Sequence, residues 1–174
     1  MDSSQRSAGG APSPQAQDPK ARATHAISAN GRTHMELWHH EFSPERFLRF
    51  SLNRLNGESL FSIVVWRLPD GVPFDRVNVR KYSQFYIQAA GTAARLTVEV
   101  RVMGASGPLQ QVVGRVGPER AADAAPTEVV PWSNFEQHVF SNEVFDADEA
   151  ADLFVDYMVA DAPAPTWSLR TLTL

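Results

Sequence analysis

The sequence contains no cysteine, only two lysines (Lys20 and Lys81), and no apolar run approaching the ~20 residues that span a bilayer. Without cysteine, disulfides, thiol nucleophiles, iron–sulfur ligation and thiolate zinc sites are all excluded, and the composition fits a reducing compartment. The N-terminus lacks the apolar stretch of a secretory signal peptide, so a cytoplasmic location is expected. Also missing are a Gly-x-Ser-x-Gly elbow, a phosphate-binding Walker loop and a dinucleotide fingerprint. Gly114 and Gly117 have glycine spacing but no following lysine, and read as the end of a strand.

What is present is a chain of 174 residues, 43% hydrophobic, with 10 Phe, 4 Trp and 3 Tyr. That is enough for one core. The net charge of −4 conceals an uneven distribution. Between Gly117 and Pro165 there are eleven acids against one base, Arg120, while the remainder is net basic. An acidic C-terminal third repels phosphates and attracts basic partners, which argues against direct nucleic-acid binding.

Residues 1–33 are rich in Ala, Ser, Pro, Gly and Gln and carry few large apolar side chains, so a disordered tail is expected there, followed by a single domain over 34–174. Met35 opens the first stretch with folded character and is a candidate translation start. Ser43-Pro44-Glu45 is a helix entry, with Ser at the N-cap and Pro at the first helical position. Phe47, Leu48, Leu52 and Leu55 form the apolar side of the helix that follows. Leu60–Leu68 reads as a central strand closed by Pro69-Asp70-Gly71. Strands are also expected over Phe74–Lys81, Gln84–Ala89, Arg95–Met103, Gln110–Val116, Thr127–Val130, Glu136–Ser141 and Trp167–Leu174. In Arg95–Met103, Leu96, Val98, Val100 and Val102 alternate with Thr97, Glu99 and Arg101, predicting one core face and one wet face. Asp146, with Glu149 at the capping-box position, starts a helix running to about Ala160, whose stripe is Ala147, Ala150, Ala151, Phe154 and Met158. The sum is an α+β fold: an antiparallel sheet of about six or seven strands with an N-terminal and a C-terminal helix.

Candidate site residues are few. Asp148, Asp152 and Asp156 recur every four residues along one helix face, each adjacent pair costing on the order of 0.2–0.5 kcal/mol in repulsion with no Lys or Arg at the compensating spacing. The row suits either solvation or recognition of a basic surface. Trp132, in the Pro131-Trp132-Ser133 break, is either a core residue or an interface anchor. Trp66 and Trp167 are expected to pack in the core. His34, Glu36, His39, His40 and Glu41 carry metal-ligating chemistry but lack a metal-binding spacing, so no metal and no cofactor is expected. His138, with Arg95 and Glu99, would serve an enzyme or small-ligand protein only if folding assembled them around a pocket.

The segment Asn142–Leu172, NEVFDADEAADLFVDYMVADAPAPTWSLRTL, resembles the C-terminal signature of immunity proteins of bacterial polymorphic-toxin systems: a short strand, an acidic Asp/Glu-x-x-Ala helix, then Pro and Trp before a last strand. Phe85–Gly104, FYIQAAGTAARLTVEVRVMG, resembles the sheet region of the same proteins, with its aromatic-x-Gln-x-x-Gly turn. The resemblance implies a non-catalytic cytoplasmic antitoxin that covers the active site of a cognate toxin, often a nucleic-acid deaminase or other nucleotide-acting enzyme. Its partner would be that toxin domain, with no nucleic acid and no membrane, bound through Asp148, Asp152, Asp156 and Trp132. A secretion chaperone or adaptor, and a small-ligand-binding protein, are the alternatives.

Overall fold

Helix α1, Pro44–Leu52, starts where its sequence requires: the Ser43 hydroxyl accepts the Arg46 amide N–H, and Pro44 occupies the first turn. Leu48 and Leu52 bury its inner face. The computed structural model containing it describes residues 23–37, 43–118, 121 and 124–172. Nine strands accompany β3 (Ser62–Arg67), namely β1 (His25–Ala29), β2 (Thr33–Glu36), β4 (Tyr86–Thr92), β5 (Arg95–Gly104), β6 (Gly107–Gly114), β7 (Glu128–Trp132), β8 (Phe135–Val139), β9 (Val144–Phe145) and β10 (Ser168–Thr171). A short helix α2 covers Val79–Tyr82 and a long one, α3, covers Ala147–Ala160.

The main sheet runs β10-β6-β5-β4-β3-β1-β2, every pairing antiparallel, with β9 laid against β5. The hairpin β7–β8 forms a separate two-stranded sheet. The α+β class and the large antiparallel sheet thus agree with the sequence, but two strands precede α1, which is not N-terminal. Helices α1 and α3 cover one face, where Ile63, Val65, Ile87, Ala89, Leu96, Val98, Val100 and Val113 meet Leu48, Leu52, Ala150, Ala151, Phe154 and Tyr157. α3 opens on the expected capping box: Asp146 accepts the amide N–H groups of Asp148 and Glu149, and Glu149 accepts that of Asp146. Tyr157 takes a fully buried place in the stripe, and Met158 is only partly covered.

Three expectations need correction. The boundary of the tail falls too late, because residues 25–29 are a strand inside the sheet, between β2 and β3. A chain starting at Met35 would lack that strand. Its small residues suit its neighbours: Ala26 lies opposite Trp66, and both are fully buried. The remainder of the expected tail, residues 1–22, lies outside the described residues. Phe74–Lys81 is not a strand; Pro73 leads into a helical turn at Phe74–Arg76, and the Asn78 side chain accepts the Lys81 amide N–H to start α2. Phe74, Val77 and Val79 still reach the cluster around Trp66 from this turn. Finally, the second face of β5 is not wet. Thr97 and Glu99 are 1% and 5% exposed, because β7–β8 covers that face through Val130 and Val139, which pack on Val112.

One interaction joins the first strand to the end of the last helix. The buried His25 imidazole bonds the Asp161 carboxylate through Nε2 at 2.7 Å, and Arg67 donates to the other oxygen at 2.7 Å. Burial pushes His25 below its ordinary 6.5, against the opposing pull of Asp161. The neutral ring is therefore the folded form, and its contribution is full above the unfolded value and lost as pH falls from there through the folded one. Denaturant midpoints measured between pH 7.5 and 5.5 should decline in the natural protein, and the decline should shrink in His25→Gln.

Candidate partner-binding surface

The hairpin β7–β8 carries the most exposed aromatic edge among the described residues. Its turn is Ser133-Asn134, with Ser133 at φ 54° and its amide N–H donated to the Gly57 carbonyl at 2.6 Å. Gly57 itself holds φ 77°, and a Cβ there would approach the Thr92 methyl at 3.0 Å, so only glycine seats this contact without strain. Trp132 is half-buried between Phe61, with ring centroids 5.8 Å apart, and Phe135, at 5.2 Å. Phe135 is 62% exposed. Glu136 and Glu58, both exposed, sit beside this aromatic corner in the chain.

The corner is held from beneath by polar groups. Glu99 accepts the Gln110 side-chain N–H on one carboxylate oxygen at 2.5 Å and that of Gln137, from β8, on the other. Arg95 donates to the Val129 carbonyl at 3.3 Å and to Glu128 at 2.5 Å. Arg95 and Glu99, considered as ligand-binding residues with His138, therefore fasten the hairpin, while His138 points outward on β8 opposite Val129. No described cleft contains the three.

Asp148, Asp152 and Asp156 occupy an exposed side of α3, on the opposite face of the sheet from the hairpin. They do not stand uncompensated. Arg49 of α1 reaches the Asp152 carboxylate, lies 3.6 Å from that of Asp148 and donates to the Asp148 carbonyl at 3.2 Å; Asn53 donates to the Asp148 side chain at 3.1 Å. The relief that helix spacing could not supply comes from a second helix. Among the described residues only Asp156 of the three lacks such a partner. Asp148 and Asp152 remain about two-thirds exposed despite their bonds, so the pairing is a surface one.

His34 and Glu36 lie on the edge strand β2, where Ser28 and His34 Nδ1 are 2.6 Å apart; His39, His40 and Glu41 lie outside the described residues. Trp66 is fully buried and donates its indole N–H to Ser28, while Trp167 packs half-buried on the main core. Arg49, Phe61, Phe135 and His25 were absent from the sequence candidates. Phe135 carried a legible signal, since it follows a Trp across a two-residue turn; Phe61 and Arg49 depend on pairings remote in sequence.

No family model, no curated protein and no solved structure matches this chain. The likeness of Asn142–Leu172 and Phe85–Gly104 to immunity proteins therefore stands on those residues alone. No helix among the described residues is long and apolar enough to cross a membrane.

The Trp132 indole N–H is buried without a hydrogen-bond partner, a state that costs about 1–3 kcal/mol. Trp132→Phe, which keeps a ring against Phe61 and removes that donor, should leave the thermal midpoint unchanged or raised; Trp132→Ala should lower it.

Proposed function

We propose that this chain is a protein-binding inhibitor of the immunity type, which neutralises a cognate toxin domain by docking on it and uses no chemistry of its own to do so. The observation that carries the reading is the aromatic corner of β7–β8: Phe135 stands mostly exposed against Trp132, and the hairpin beneath it is fixed by Glu99, Arg95 and Gly57. A rigid aromatic with a prepaid conformation is the type of residue that dominates binding energy at interfaces. The acidic C-terminal third supplies the accompanying field. A toxin that acts on nucleotides must attract phosphate, so its active-site rim is basic, and an acidic surface is complementary to it. Asp156, Asp148 and Asp152 contribute to that field from α3, and steer association more than they add to final affinity. The same geometry serves a secretion adaptor less well, because a targeting segment is bound in an extended groove or on a strand edge.

The test is a tagged pull-down from the native host, with identification of what co-elutes, followed by titration of that partner with variants. A toxin domain should be recovered in equal amounts with its activity suppressed. Phe135→Ala should weaken its binding at least about tenfold, or ~1.4 kcal/mol, without changing the fold. Replacing Asp156 with Asn should mainly slow association and reduce its salt dependence. Recovery of secretion components alone would reject the inhibitor reading.

A further inference from the structure

We propose that Thr24, His25 and Asp161 form a nucleophilic relay, with Thr24 accepting acyl groups from small esters that carry a cationic group. The arrangement lies away from the aromatic corner and does not rest on the inhibitor reading. Its hydrogen-bond directions follow from the partners. Both Asp161 oxygens can only accept, since one faces His25 Nε2 at 2.7 Å and the other takes a guanidinium N–H from Arg67 at 2.7 Å. The ring proton is thereby placed on Nε2, leaving a lone pair on Nδ1. The Thr24 hydroxyl, 2.9 Å from Nδ1, must then donate to it. A hydroxyl, an imidazole that can take its proton, and a carboxylate that orients the imidazole are the three parts of an activated nucleophile. Burial keeps the imidazole neutral and therefore ready to accept.

Access distinguishes this cluster from an ordinary buried histidine. His25 is 2% exposed, whereas Thr24 is exposed and lines an open cleft of about 510 Å³. His25 itself is not among the cleft's lining residues, and the neighbouring Thr24, bonded to its ring, is. Leu68 and Phe74 give the cleft an apolar lining, and Glu36, Asp70 and Asp75 are its charged residues. Asp70 is held by Arg67 at 3.2 Å, which leaves Glu36 and Asp75 as the uncompensated charges among the described lining residues, so the cleft favours an ester bearing an ammonium group over an anionic one.

In the reaction, Thr24 Oγ1 bonds to the ester carbonyl carbon while its proton passes to His25 Nδ1, and Asp161 holds the resulting imidazolium. The tetrahedral centre collapses by breaking the bond to the leaving alkoxide, which takes the proton from Nδ1 and departs as an alcohol. Water then attacks the acyl-threonine, gives one proton to Nδ1, and the carboxylic acid leaves as Thr24 recovers its hydrogen.

Full-length protein should be incubated with 4-nitrophenyl acetate, a neutral oxygen ester, and with acetylthiocholine, a cationic thioester whose leaving group departs as a thiol in place of the alcohol, and then digested and mapped by mass spectrometry. An acetyl group on Thr24 is expected, with labelling that rises with pH through the titration of His25. Acetylthiocholine should label faster than size alone predicts, and lose that advantage at high salt. Thr24→Ser should retain labelling, and His25→Gln should reduce it roughly a hundredfold. If His25→Gln fails to fold by circular dichroism, Asp161→Asn, which disturbs the tautomer while keeping the ring, replaces it with the same expectation. Absence of acetyl on Thr24 in the natural protein, labelling independent of pH, or undiminished labelling in the folded His25 or Asp161 variant would overturn the relay.

Discussion

Glu99 is a carboxylate placed almost in the middle of the sheet, on the face opposite α1 and α3, and 5% exposed. A buried charge of this kind is tolerated only when its oxygens are hydrogen-bonded. Gln110 from the neighbouring strand satisfies one oxygen and Gln137 from β8 satisfies the other. The second bond spans the two sheets, so the position of the hairpin follows from the requirement to satisfy Glu99. Once the hairpin is laid there, Val130 and Val139 close over Val112, Arg95 engages Glu128, and the Trp132 corner reaches Phe61 and Gly57. The exposed aromatic corner, the proposed docking surface, is thus a consequence of a polar group in the core.

Glu99 belongs to a row of mostly polar residues that crosses the sheet from edge to edge. Registers place His34, Ser28, Val64, Gln88, Glu99, Val112 and Arg170 side by side on one face. At one end Ser28 accepts the Trp66 indole N–H and bonds His34; at the other Arg170 forks onto Glu143, which is 1% exposed and also accepts the Phe140 amide N–H. One face of the sheet is an apolar contact with α1 and α3, and the other carries this row between two smaller apolar clusters, one around Trp66 under α2 and one of Val112, Val130 and Val139 under the hairpin.

Much of the first face was legible in the sequence because its signals are local. The alternation in β5, the apolar stripe of α3, its capping box and the Ser-Pro entry to α1 each declare themselves within a few residues. The second face was not legible, because its burial depends on a hairpin about thirty residues downstream. Thr97 and Glu99 look like solvent positions until Val130 and Gln137 are placed over them. β1 was hidden by composition: HAISA offers one large aliphatic residue, its small side chains being those that fit beside Trp66. Asn30-Gly31, where both residues have positive φ as a tight I′ hairpin turn requires, was the available signal for it. Among the candidate site residues, Trp132, read as either a core residue or an interface anchor, lies half-buried between Phe61 and the exposed Phe135. The aspartate row was located correctly but its electrostatic partner, Arg49, lies about a hundred residues away.

The proposed partner-binding reading joins these elements: a polar core contact fixes a hairpin, and the hairpin presents an aromatic corner with the exposed Glu58 and Glu136 beside it in the chain. Its most direct test is amide hydrogen exchange in the free protein and in its equimolar complex with the recovered toxin domain. The account predicts that residues 128–139 are already protected in the free protein, and that binding slows exchange further around Trp132–Phe135. Fast exchange of the hairpin before binding, or protection gained elsewhere with the hairpin unchanged, would contradict it.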